Sequence, residues 1–579
     1  MKIGRTIIFV LLIALVMTPA ALADYPMFGL DPGRTGNASG NAPLADMILW
    51  ETKLGESYIG CGASVVSGRV YVSNWPTMGA SSGIGLYCLD ESDGSLIWNN
   101  TLGGNGGVST PAISGDRVFA GSVGPYGPPG PDDPTTGDLY CIDATTGATI
   151  WNISLEHDPQ WFGLASSPLI YDDKVYVVSW SDGILHAIDF DGSELWNYSA
   201  SGSSNVYMSA ATDGSKLFFG GGNAMNCVDI TNHTKVWRFN VGDSEVSTTP
   251  AVHDGIVYFA TGKPDKKLYA VNTTTGTLVW SRYLYGSLSS PAISNGRIYI
   301  GDKDKKMNCI NAIDGSEVWN QTLNGACRSS PVVADGMVYT AANNAEGTIY
   351  CFDADDGTLI WSYDTNDYNM AQPSVSDGIL YMGSDTGYLY AFSNIVWDGK
   401  VKLTPGTVNV TADNSGKEYI ISSTCTMYSL VKAAEAGGFN YSISDAWYDD
   451  YDGALYVDMI NDRHESGWDG WLYRVNYPNE PSPPSPNFCE LDNGDLVTWY
   501  WGSGMGATPD NSDMLIQIEV TITERGDLNC DGAVTAADAA IALMMTVGAV
   551  PAADVGDMNG DCRVTSLDAL MILQCAIEG

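Results

Sequence analysis

The stretch LYCLDESDGSLIW, residues 86–98, decides the fold of this 579-residue chain. A short alternating strand is followed by an acidic, glycine-containing turn and by a second strand that ends in tryptophan, which is the pattern of a β-hairpin. The phrase occurs six more times, as LYCIDATTGATIW (139–151), LHAIDFDGSELW (185–196), MNCVDITNHTKVW (225–237), LYAVNTTTGTLVW (268–280), MNCINAIDGSEVW (307–319) and IYCFDADDGTLIW (349–361). The chain is therefore built on a structural repeat.

A second repeated phrase lies between these copies and contains another strand–turn–strand pair. Its clearest copies are TPAISGDRVFAGS (110–122), SPLIYDDKVYVVS (167–179), TPAVHDGIVYFAT (249–261), SPAISNGRIYIGD (290–302), SPVVADGMVYTAA (330–342) and QPSVSDGILYMGS (372–384). Looser versions stand at 63–73 and 208–220. Four strands therefore recur at intervals of 39 residues (Trp280 to Trp319) to 53 residues (Trp98 to Trp151). This is the period of a propeller blade.

The number of repeats predicts a mainly β chain with an eight-bladed β-propeller over residues 24–394. The second phrase has eight copies, and eight tryptophans mark the ends of hairpins: Trp50, Trp98, Trp151, Trp196, Trp237, Trp280, Trp319 and Trp361. The last hairpin phrase, YLYAFS (388–393), lacks its tryptophan strand, whereas ILW (48–50) is a tryptophan strand without a preceding partner. The N-terminal strand should complete the last blade and leave no open sheet edge.

These repeats, with the lead-in DYPMFGLDPGRTG (24–36), resemble the PQQ-type propeller family. That family includes quinoprotein dehydrogenases as well as non-catalytic propellers of outer-membrane assembly. The quinoprotein enzymes carry an adjacent Cys-Cys pair beside their cofactor, and this chain has no such dipeptide. The resemblance therefore implies the fold, and PQQ is not expected as a cofactor.

The cysteines of the repeat indicate packing rather than chemistry. Five of them occupy one position of the hairpin phrase, namely Cys88, Cys141, Cys227, Cys309 and Cys351. Alanine takes that position in other copies, as at Ala187, Ala270 and Ala391. A position that accepts either residue needs a small buried apolar group, so inert thiols are expected there. Cys61 and Cys327 fit packing or a disulfide equally well.

Long aromatic loops mark one face of the predicted propeller. NWPTMGASSGIG (74–85), VGPYGPPGPDDPTTGD (123–138) and SLEHDPQWFGLAS (154–166) fall on the same face in neighbouring blades. Loops of this kind on a rigid scaffold are a common binding arrangement, and packing of the loops on one another is the alternative. The candidate partner-binding residues are Trp75, Tyr126, Trp161 and Phe162.

Residues 395–523 follow a different pattern, which predicts a small α+β module. A helix is expected from about Met427 to Ala436, ended by Gly437 and Gly438, and strands are expected at 454–460, 470–477 and 494–502. The stretches SLVKAAEAGG (429–438), GWLYRVN (470–476) and NGDLVTWYW (493–501) resemble the C-terminal module of transcobalamin-type proteins, which helps to cover a corrinoid. Six aromatic residues either line a ligand groove or belong to the core: Trp468, Trp471, Tyr473, Trp499, Tyr500 and Trp501. A disulfide between Cys425 and Cys489 is a further prediction.

Two acidic phrases near the C-terminus predict a pair of calcium loops. They are GDLNCDGAVTAADAAIAL (526–543) and GDMNGDCRVTSLDALMIL (556–573). Each places carboxylate, amide, hydroxyl and carbonyl oxygens at spacings that can surround one calcium ion, ahead of an apolar-faced helix. The first set of ligands is Asp527, Asn529, Asp531, Ala533 (carbonyl), Thr535 and Asp538. The second is Asp557, Asn559, Asp561, Arg563 (carbonyl), Thr565 and Asp568.

The duplicated loops resemble a type I dockerin, a calcium-dependent module that docks onto cohesin domains, over residues 524–579. The resemblance implies a small all-α domain, a cohesin-type partner and partner-choosing residues at Ala536, Ala537, Ser566 and Leu567. Gly532 provides the sharp turn of the first loop, whereas Cys562 stands at that position of the second. Two calcium ions are expected, with the second site weaker.

The N-terminus and the charge balance place the predicted protein outside the cell. Residues 1–23 combine a basic start, an apolar run and a small-residue cleavage site, as in a secretory signal peptide, and no membrane-spanning segment is expected after its removal. The net charge of −41 excludes nucleic acid as a general partner. We therefore expect a secreted or cell-surface protein from a bacterium or an archaeon.

Binding rather than catalysis is the function that the sequence favours. The five histidines are scattered, and neither a nucleophile elbow nor a phosphate loop occurs. The propeller is expected to bind a protein or a glycan, while the tail docks to a cohesin. The alternatives are a quinoprotein-like dehydrogenase or a polysaccharide-active enzyme attached to a scaffold, and a carrier of a small ligand such as a corrinoid.

Overall fold

The computed structural model describes most of the chain after the predicted signal peptide, and residues 1–23 lie outside the described part. The described ranges are 24–38, 42–75, 84–104, 106–122, 137–156, 164–180, 182–200, 208–450, 453–461, 463–465, 469–478, 485–503, 507–509, 512, 514–522, 534–546 and 564–578. The chain divides into two compact units. Unit 1 comprises Met1–Ala42 and Trp50–Phe392, and unit 2 comprises Pro43–Leu49 and Ser393–Gly579.

Unit 1 consists of propeller-like blade sheets, and sheets 1 to 7 each contain four antiparallel strands in chain order. Sheet 1 comprises Ser64–Val66, Arg69–Asn74, Gly85–Asp90 and Leu96–Asn100, and sheet 2 comprises Ala112–Ser114, Arg117–Gly121, Gly137–Asp143 and Thr149–Glu156. Sheet 3 comprises Leu169–Tyr171, Lys174–Val178, Ile184–Asp189 and Glu194–Ser199. Sheet 4 comprises Ala211–Thr212, Lys216–Gly221, Ala224–Asp229 and Lys235–Asn240. Sheet 5 comprises Ala251–His253, Ile256–Ala260, Lys267–Asn272 and Leu278–Tyr283. Sheet 6 comprises Ala292–Ser294, Arg297–Gly301, Lys306–Asn311 and Glu317–Thr322. Sheet 7 comprises Val332–Ala334, Met337–Asn343, Thr348–Asp353 and Leu359–Asp364. A short 3-10 turn, Leu102–Gly104, follows sheet 1.

Sheet 8 takes its fourth strand from the other end of the chain. Its strands Ser374–Ser376, Ile379–Gly383 and Tyr388–Ser393 are joined by Ile48–Lys53, which pairs with Tyr388–Ser393. The prediction that the N-terminal tryptophan strand completes the last sheet is therefore confirmed. Sheet 7 gains two short additions, a parallel strand Asn37–Ala38 and the segment Ala326–Cys327.

The marker tryptophan of one sheet holds the turn of the next sheet, and this contact explains the repeat. The Trp237 indole Nε1 donates to the Thr273 carbonyl oxygen at 2.9 Å, and the ring covers Gly276 in the same turn. A Cβ atom on Gly276 would lie 2.6 Å from Trp237 Cγ, and Gly276 has a left-handed φ of +69°. Both the close ring and the backbone conformation therefore require glycine at this position. We call this contact the tryptophan clamp. Equivalent indole donors are Trp50, Trp98, Trp151, Trp280 and Trp319.

The cysteines of the repeat are free and buried, as the exchange with alanine predicts. Burial raises the pKa of Cys88 and Cys141 to about 11 and that of Cys227 and Cys309 to about 12. Such thiols stay neutral and unreactive near neutral pH. Cys61 and Cys327 are also free and buried, so the packing alternative holds for both.

Unit 2 contains a mixed sheet and one well-packed helix. The sheet order is Ile395–Leu403, Leu515–Ile522, Leu496–Ser503 and Asp469–Val475, with the first pair parallel. A hairpin (Thr407–Thr411 and Glu418–Ser422) and a three-stranded sheet (Tyr441–Ser444, Tyr456–Ile460 and Arg463–His464) accompany it. The predicted helix is present at Thr426–Gly437, where Gly438 adopts a left-handed conformation and ends it.

One prediction for unit 2 is wrong, and the structure decides between the two alternatives for its aromatic residues. Cys425 and Cys489 are both free, so the proposed disulfide is absent. The aromatic residues do not line a groove, because the five that the structure describes are all buried: Trp471, Tyr473, Trp499, Tyr500 and Trp501. Neighbouring rings pack on one another, with 5.1 Å between the centroids of Tyr473 and Trp499. Trp468 lies outside the described residues.

Unit 2 also contains the two helices that follow the acidic phrases, Ala536–Thr546 and Ser566–Glu578. They pack through Ala539 and Ala542 of the first helix and Ala569 and Ile572 of the second. These are equivalent positions of the two phrases, thirty residues apart. Among the described residues, no helix has the length and apolar character needed to cross a membrane.

Candidate functional site

Hydroxyl side chains link neighbouring sheets of unit 1 through hydrogen bonds. Each hydroxyl lies just before the first strand of its sheet. Its oxygen accepts a hydrogen bond, at 2.9–3.0 Å, from the backbone N–H of the residue at the same repeat position in the preceding sheet. We call the set the hydroxyl belt; its members are Thr110, Ser167, Ser209, Thr249, Ser290 and Ser330. The belt explains why the second phrase so often begins with Thr-Pro or Ser-Pro. Each such bond contributes about 0.5–1.5 kcal/mol.

The lead-in segment, residues 24–38, runs past the first strands of the sheets, and we call it the N-terminal strap. Its carbonyl oxygens at Pro26, Pro32, Gly33, Thr35 and Gly36 accept hydrogen bonds from first-strand N–H groups of sheets 2, 4, 5, 6 and 7. Tyr25 pairs with Val65 of sheet 1, with N···O distances of 2.7 and 2.8 Å. In sheet 8, the Gln372 Oε1 accepts from the Gly29 N–H at 3.4 Å.

Arg34 of the strap supplies the remaining contact, to sheet 3. Its guanidinium is 2% exposed and donates to the carbonyl oxygens of Ser167 and Pro168 at 3.1 and 3.0 Å. Further bonds reach the Ala210 carbonyl at 3.1 Å and the Phe28 carbonyl within the strap. Burial lowers the pKa of Arg34 to about 9, with Asp31 acting in the opposite direction. The strap thus touches every sheet of unit 1.

A cavity of about 160 Å³ lies between the strap and the belt. Phe28 of the strap contributes to its wall, as do residues from sheets 1, 2, 3, 6, 7 and 8, and we call it the axial cavity. Its lining is mixed: belt hydroxyls of Thr110, Ser167, Ser290 and Ser330 stand beside apolar Val108, Ala165, Leu288 and Met370. Such a mixture of apolar surface and a few polar groups is typical of a ligand site.

Among the four partner-binding candidates in the long loops, Trp75 is the one that the structure describes. Its ring packs against Val108 and Ala165 of the cavity wall and meets Tyr58 edge-on, with 6.1 Å between centroids. The other three candidates, Tyr126, Trp161 and Phe162, lie outside the described residues. Sequence reasoning therefore identified a side chain beside the cavity but missed the lining itself, whose small residues carry no distinctive motif.

Cys61 lines the cavity but is not a nucleophile. Its Sγ donates to the Ser73 carbonyl oxygen at 3.1 Å, and burial raises the pKa of the thiol to about 12. The described part of the chain also contains no group of three or more His, Cys, Asp or Glu residues that could hold a metal ion. The described lining therefore offers hydrogen bonding and apolar contact.

A quinone cofactor does not fit the described lining. Pockets for drug-sized ligands typically have volumes of about 300–1,000 Å³, whereas the axial cavity has about 160 Å³.

One carboxyl group outside the cavity has unusual properties. Asp385, in the loop between the second and third strands of sheet 8, has a buried Oδ1 without a hydrogen-bond partner. Burial, together with the nearby charge of Asp367, raises its pKa to about 7. A carboxyl group of this kind can exchange a proton near neutral pH. The sequence alone does not indicate this property of Asp385, because SDTG (384–387) has the composition of an ordinary turn.

Two of the proposed ligands of the first calcium loop, Thr535 and Asp538, are described, and they contact each other at the start of the helix. Asp538 is fully buried, and its Oδ2 accepts hydrogen bonds from Thr535 N and Oγ1 at 2.8 and 2.9 Å. The residues Ala536, Ala537 and Ser566, predicted to choose the partner, are exposed at the helix starts. Thr565 is half-buried at the start of the second helix. Outside the described residues lie Asp527, Asn529, Asp531, Ala533, Asp557, Asn559, Asp561 and Arg563, and so do the side chains of Leu567 and Asp568.

The family of outer membrane protein assembly factor BamB matches residues 38–199, 202–291 and 264–429 of this chain. A tetrathionate hydrolase from Acidithiobacillus ferrooxidans is 25% identical over 250 residues. That match covers 41% of each protein, so the chain spans less than half the length of this curated relative.

Solved structures show the same type of fold. Quinohemoprotein alcohol dehydrogenase ADHIIG from Pseudomonas putida HK5 has a TM-score of 0.52 at 14% identity, covering 64% of this chain and 80% of that one. The quinohemoprotein alcohol dehydrogenase from Comamonas testosteroni has a TM-score of 0.52 at 13% identity, with the same coverage. At these identities the likeness concerns the propeller-type fold alone.

Proposed function

Because this chain belongs to the family of outer membrane protein assembly factor BamB, we propose that it is a modular binding protein rather than an enzyme. Its sheets form an eight-bladed propeller, and the face with the long loops and the axial cavity binds a protein or a glycan. The protein is secreted or displayed on the surface of a bacterial or archaeal cell. A calcium-ordered, dockerin-like tail attaches it to a cohesin-type partner.

The observation that carries the proposal is the axial cavity, whose volume of about 160 Å³ suits one side chain or the end of a glycan rather than a whole drug-sized molecule. It combines belt hydroxyls with apolar side chains, while its one thiol, Cys61, has a pKa raised to about 12. A site of this composition favours recognition through hydrogen bonds and packing. The strap, which bonds to all the sheets, keeps the lining rigid. Rigid lining reduces the ordering cost of binding.

The middle module serves as a structural spacer in this proposal. Three stretches of its sequence resemble the transcobalamin C-terminal module, but its described aromatic residues are buried. A corrinoid site is therefore not part of the proposed function. The dockerin-like tail is supported by the helix pair packed through equivalent residues and by the buried carboxylate of Asp538.

Binding of a type I cohesin tests the tail. The mature chain should bind cohesin with calcium and lose binding in chelator, because the loops order the docking helices only around the metal. Asp527→Ala combined with Asp557→Ala should remove binding, whereas Asp213→Ala, in a turn of sheet 4, should leave it unchanged. Cohesin binding that persists in chelator would contradict the proposal.

Filling the axial cavity tests the propeller. Leu288 lines the cavity and is half-buried, so Leu288→Trp should obstruct it. On an array of glycans and of surface proteins, we expect at least about a 10-fold loss of affinity for whatever the wild type binds. Leu359→Trp, at an exposed position of sheet 7, is the matched control. Equal binding by both variants would place recognition elsewhere.

An enzymatic role is the second candidate, and Asp385 favours a hydrolytic form over a quinone-dependent dehydrogenase. A polysaccharide-active enzyme attached to a scaffold would use Asp385 to accept a proton from attacking water. Its activity should rise with pH through about 7, as the carboxyl group ionises. Asp385→Asn should abolish hydrolysis of polysaccharide or tetrathionate. Absence of any hydrolysis by the wild type would exclude this candidate.

A further inference from the structure

Two loops of unit 1 concentrate basic residues in a chain that has few of them. The whole chain has 27 Lys and Arg against 68 Asp and Glu. GKPDKK (262–267) and GDKDKK (301–306) nevertheless contain six lysines between them. They connect the second and third strands of sheets 5 and 6, so they lie at the same end of neighbouring sheets. These two loops therefore carry a local concentration of positive charge, although the net charge of the whole chain is negative.

Three of the six lysines have partners within the protein. Lys267 Nζ pairs with Asp265 Oδ1 at 2.9 Å. Lys305 Nζ donates to the Asn324 carbonyl at 3.1 Å, and Lys306 Nζ donates to Asn320 Oδ1 at 2.6 Å. These side chains are turned to their own sheets and are not available as a set for a ligand.

The other three lysines, Lys263, Lys266 and Lys303, form no ion pair among the described residues, and neither does Arg328 at the entry to sheet 7. Lys266 Cγ and Lys303 Cδ lie 3.7 and 3.9 Å from the point that a Cβ atom on Gly286 would occupy, so both stems flank one glycine. The backbone holds them there, because Lys303 N donates to the Gly286 carbonyl at 3.0 Å. Arg328 lines the axial cavity and contacts Met370 Sδ at 3.8 Å.

Partial burial and the neighbouring positive charges lower the pKa of Lys303. Burial has the larger effect, and the charges of Arg328, Lys263 and Lys266 follow. Asp304 is next to Lys303 in sequence but forms no described ion pair with it. An anion placed among the four cations would relieve the repulsion.

Two exposed tyrosines stand beside the cations. Tyr283 and Tyr285 are 53% and 49% exposed, and their ring centroids are 5.3 Å apart at an interplanar angle of 72°. The buried Leu284 between them donates its N–H to the Lys266 carbonyl at 2.7 Å, and Gly286 follows directly. Exposed ring faces offer apolar contact to flat ligand surfaces, which sugars possess and most acidic peptides do not.

We propose that Lys263, Lys266, Lys303, Arg328, Tyr283 and Tyr285 form a binding site for an acidic carbohydrate, which we call the acidic-glycan patch. This inference rests on the proposed binding role of the propeller and names its ligand class. The cations bind the oxyanion groups, the tyrosine rings contact the sugar faces, and Arg328 connects the patch to the axial cavity. Uronate carboxylates and sulfate esters share this chemistry.

The test compares three oligosaccharides of equal length on the full mature chain by calorimetry: a galacturonate, a sulfated galactan and a neutral galactan. One or both acidic probes should bind, more weakly as salt is raised, and the neutral probe should not. The two acidic probes distinguish uronate from sulfate as the source of the charge. Lys266→Gln with Lys303→Gln should weaken binding at least about 10-fold. Lys305→Gln with Lys306→Gln is the matched control and should bind as wild type does.

Three results would overturn the inference. They are equal binding of the neutral probe, equal loss in the control variant, and a poly-glutamate that binds as tightly as the acidic glycans while Tyr285→Ala has no effect. The last result would assign the patch to an acidic protein. Failure of the patch is distinct from failure of the proposed function: neutral glycan binding lost only in Leu288→Trp would retain the binding role and remove the acidic-glycan patch.

Discussion

The tryptophan clamps and the N-terminal strap stabilise the same unit in different ways: the clamps are repeated contacts between neighbouring sheets, whereas the strap is a single segment that contacts all the sheets. A clamp joins two neighbouring sheets through one indole N–H and one glycine, and six such indole bonds are present among the described residues. The strap occurs once and contacts all the sheets, with Arg34 at its centre. A repeated contact tolerates the loss of one copy, whereas a unique contact has no substitute. The predicted consequence is a large difference in sensitivity to mutation.

The largest effect is expected for Arg34→Ala. It would leave the buried carbonyl oxygens of Ser167, Pro168 and Ala210 without their donor, at a cost of about 3–5 kcal/mol in the free energy of unfolding. Denaturant titration of the mature chain measures this. Arg282→Ala, which removes an exposed pair with Glu317, should cost at most about 1 kcal/mol. Equal costs for the two variants would remove the special role of the strap.

A smaller effect is expected when one clamp is obstructed. Gly276→Ala places a methyl group 2.6 Å from Trp237 Cγ at a φ of +69°, and should cost about 2–3 kcal/mol. Gly296 has nearly the same φ, +72°, but no atom within 4 Å of the added carbon. The difference in thermal stability between Gly276→Ala and Gly296→Ala therefore measures the packing of the clamp without the backbone strain. A difference near zero would mean that the ring moves aside freely.

The smallest effect is expected in the hydroxyl belt. Ser290→Ala removes the acceptor of the Thr249 N–H and should cost about 1 kcal/mol, because one neutral hydrogen bond is lost. Ser281→Ala, at an exposed position of sheet 5, should leave the unfolding midpoint unchanged. A cost for Ser290→Ala as large as that of Arg34→Ala would show that the belt, rather than the strap, holds the sheets together.

The same contrast explains what could be predicted. The clamp was visible because its tryptophan and glycine recur at a fixed spacing, and so was the strand that completes sheet 8. The helix at Thr426–Gly437 was visible because its apolar pattern ends at two glycines. The sequence left open whether the aromatic residues of unit 2 line a groove or belong to the core, because alternation along a strand does not reveal that both faces of the sheet are covered. The Cys425–Cys489 pairing was wrong because composition permits a disulfide without determining the geometry.

The amino-acid sequence by itself determined the repeat, the mainly β class and the strand that closes sheet 8, because these depend on short-range patterns of apolar residues and turns. The tertiary structure alone decided what the single-copy residues do. Arg34 reaches carbonyl groups more than a hundred residues away, and the stems of Lys266 and Lys303 flank Gly286 from two neighbouring sheets. Long-range contacts of this kind produce no repeating sequence pattern, because they depend on which loops the fold brings to one end of the sheets.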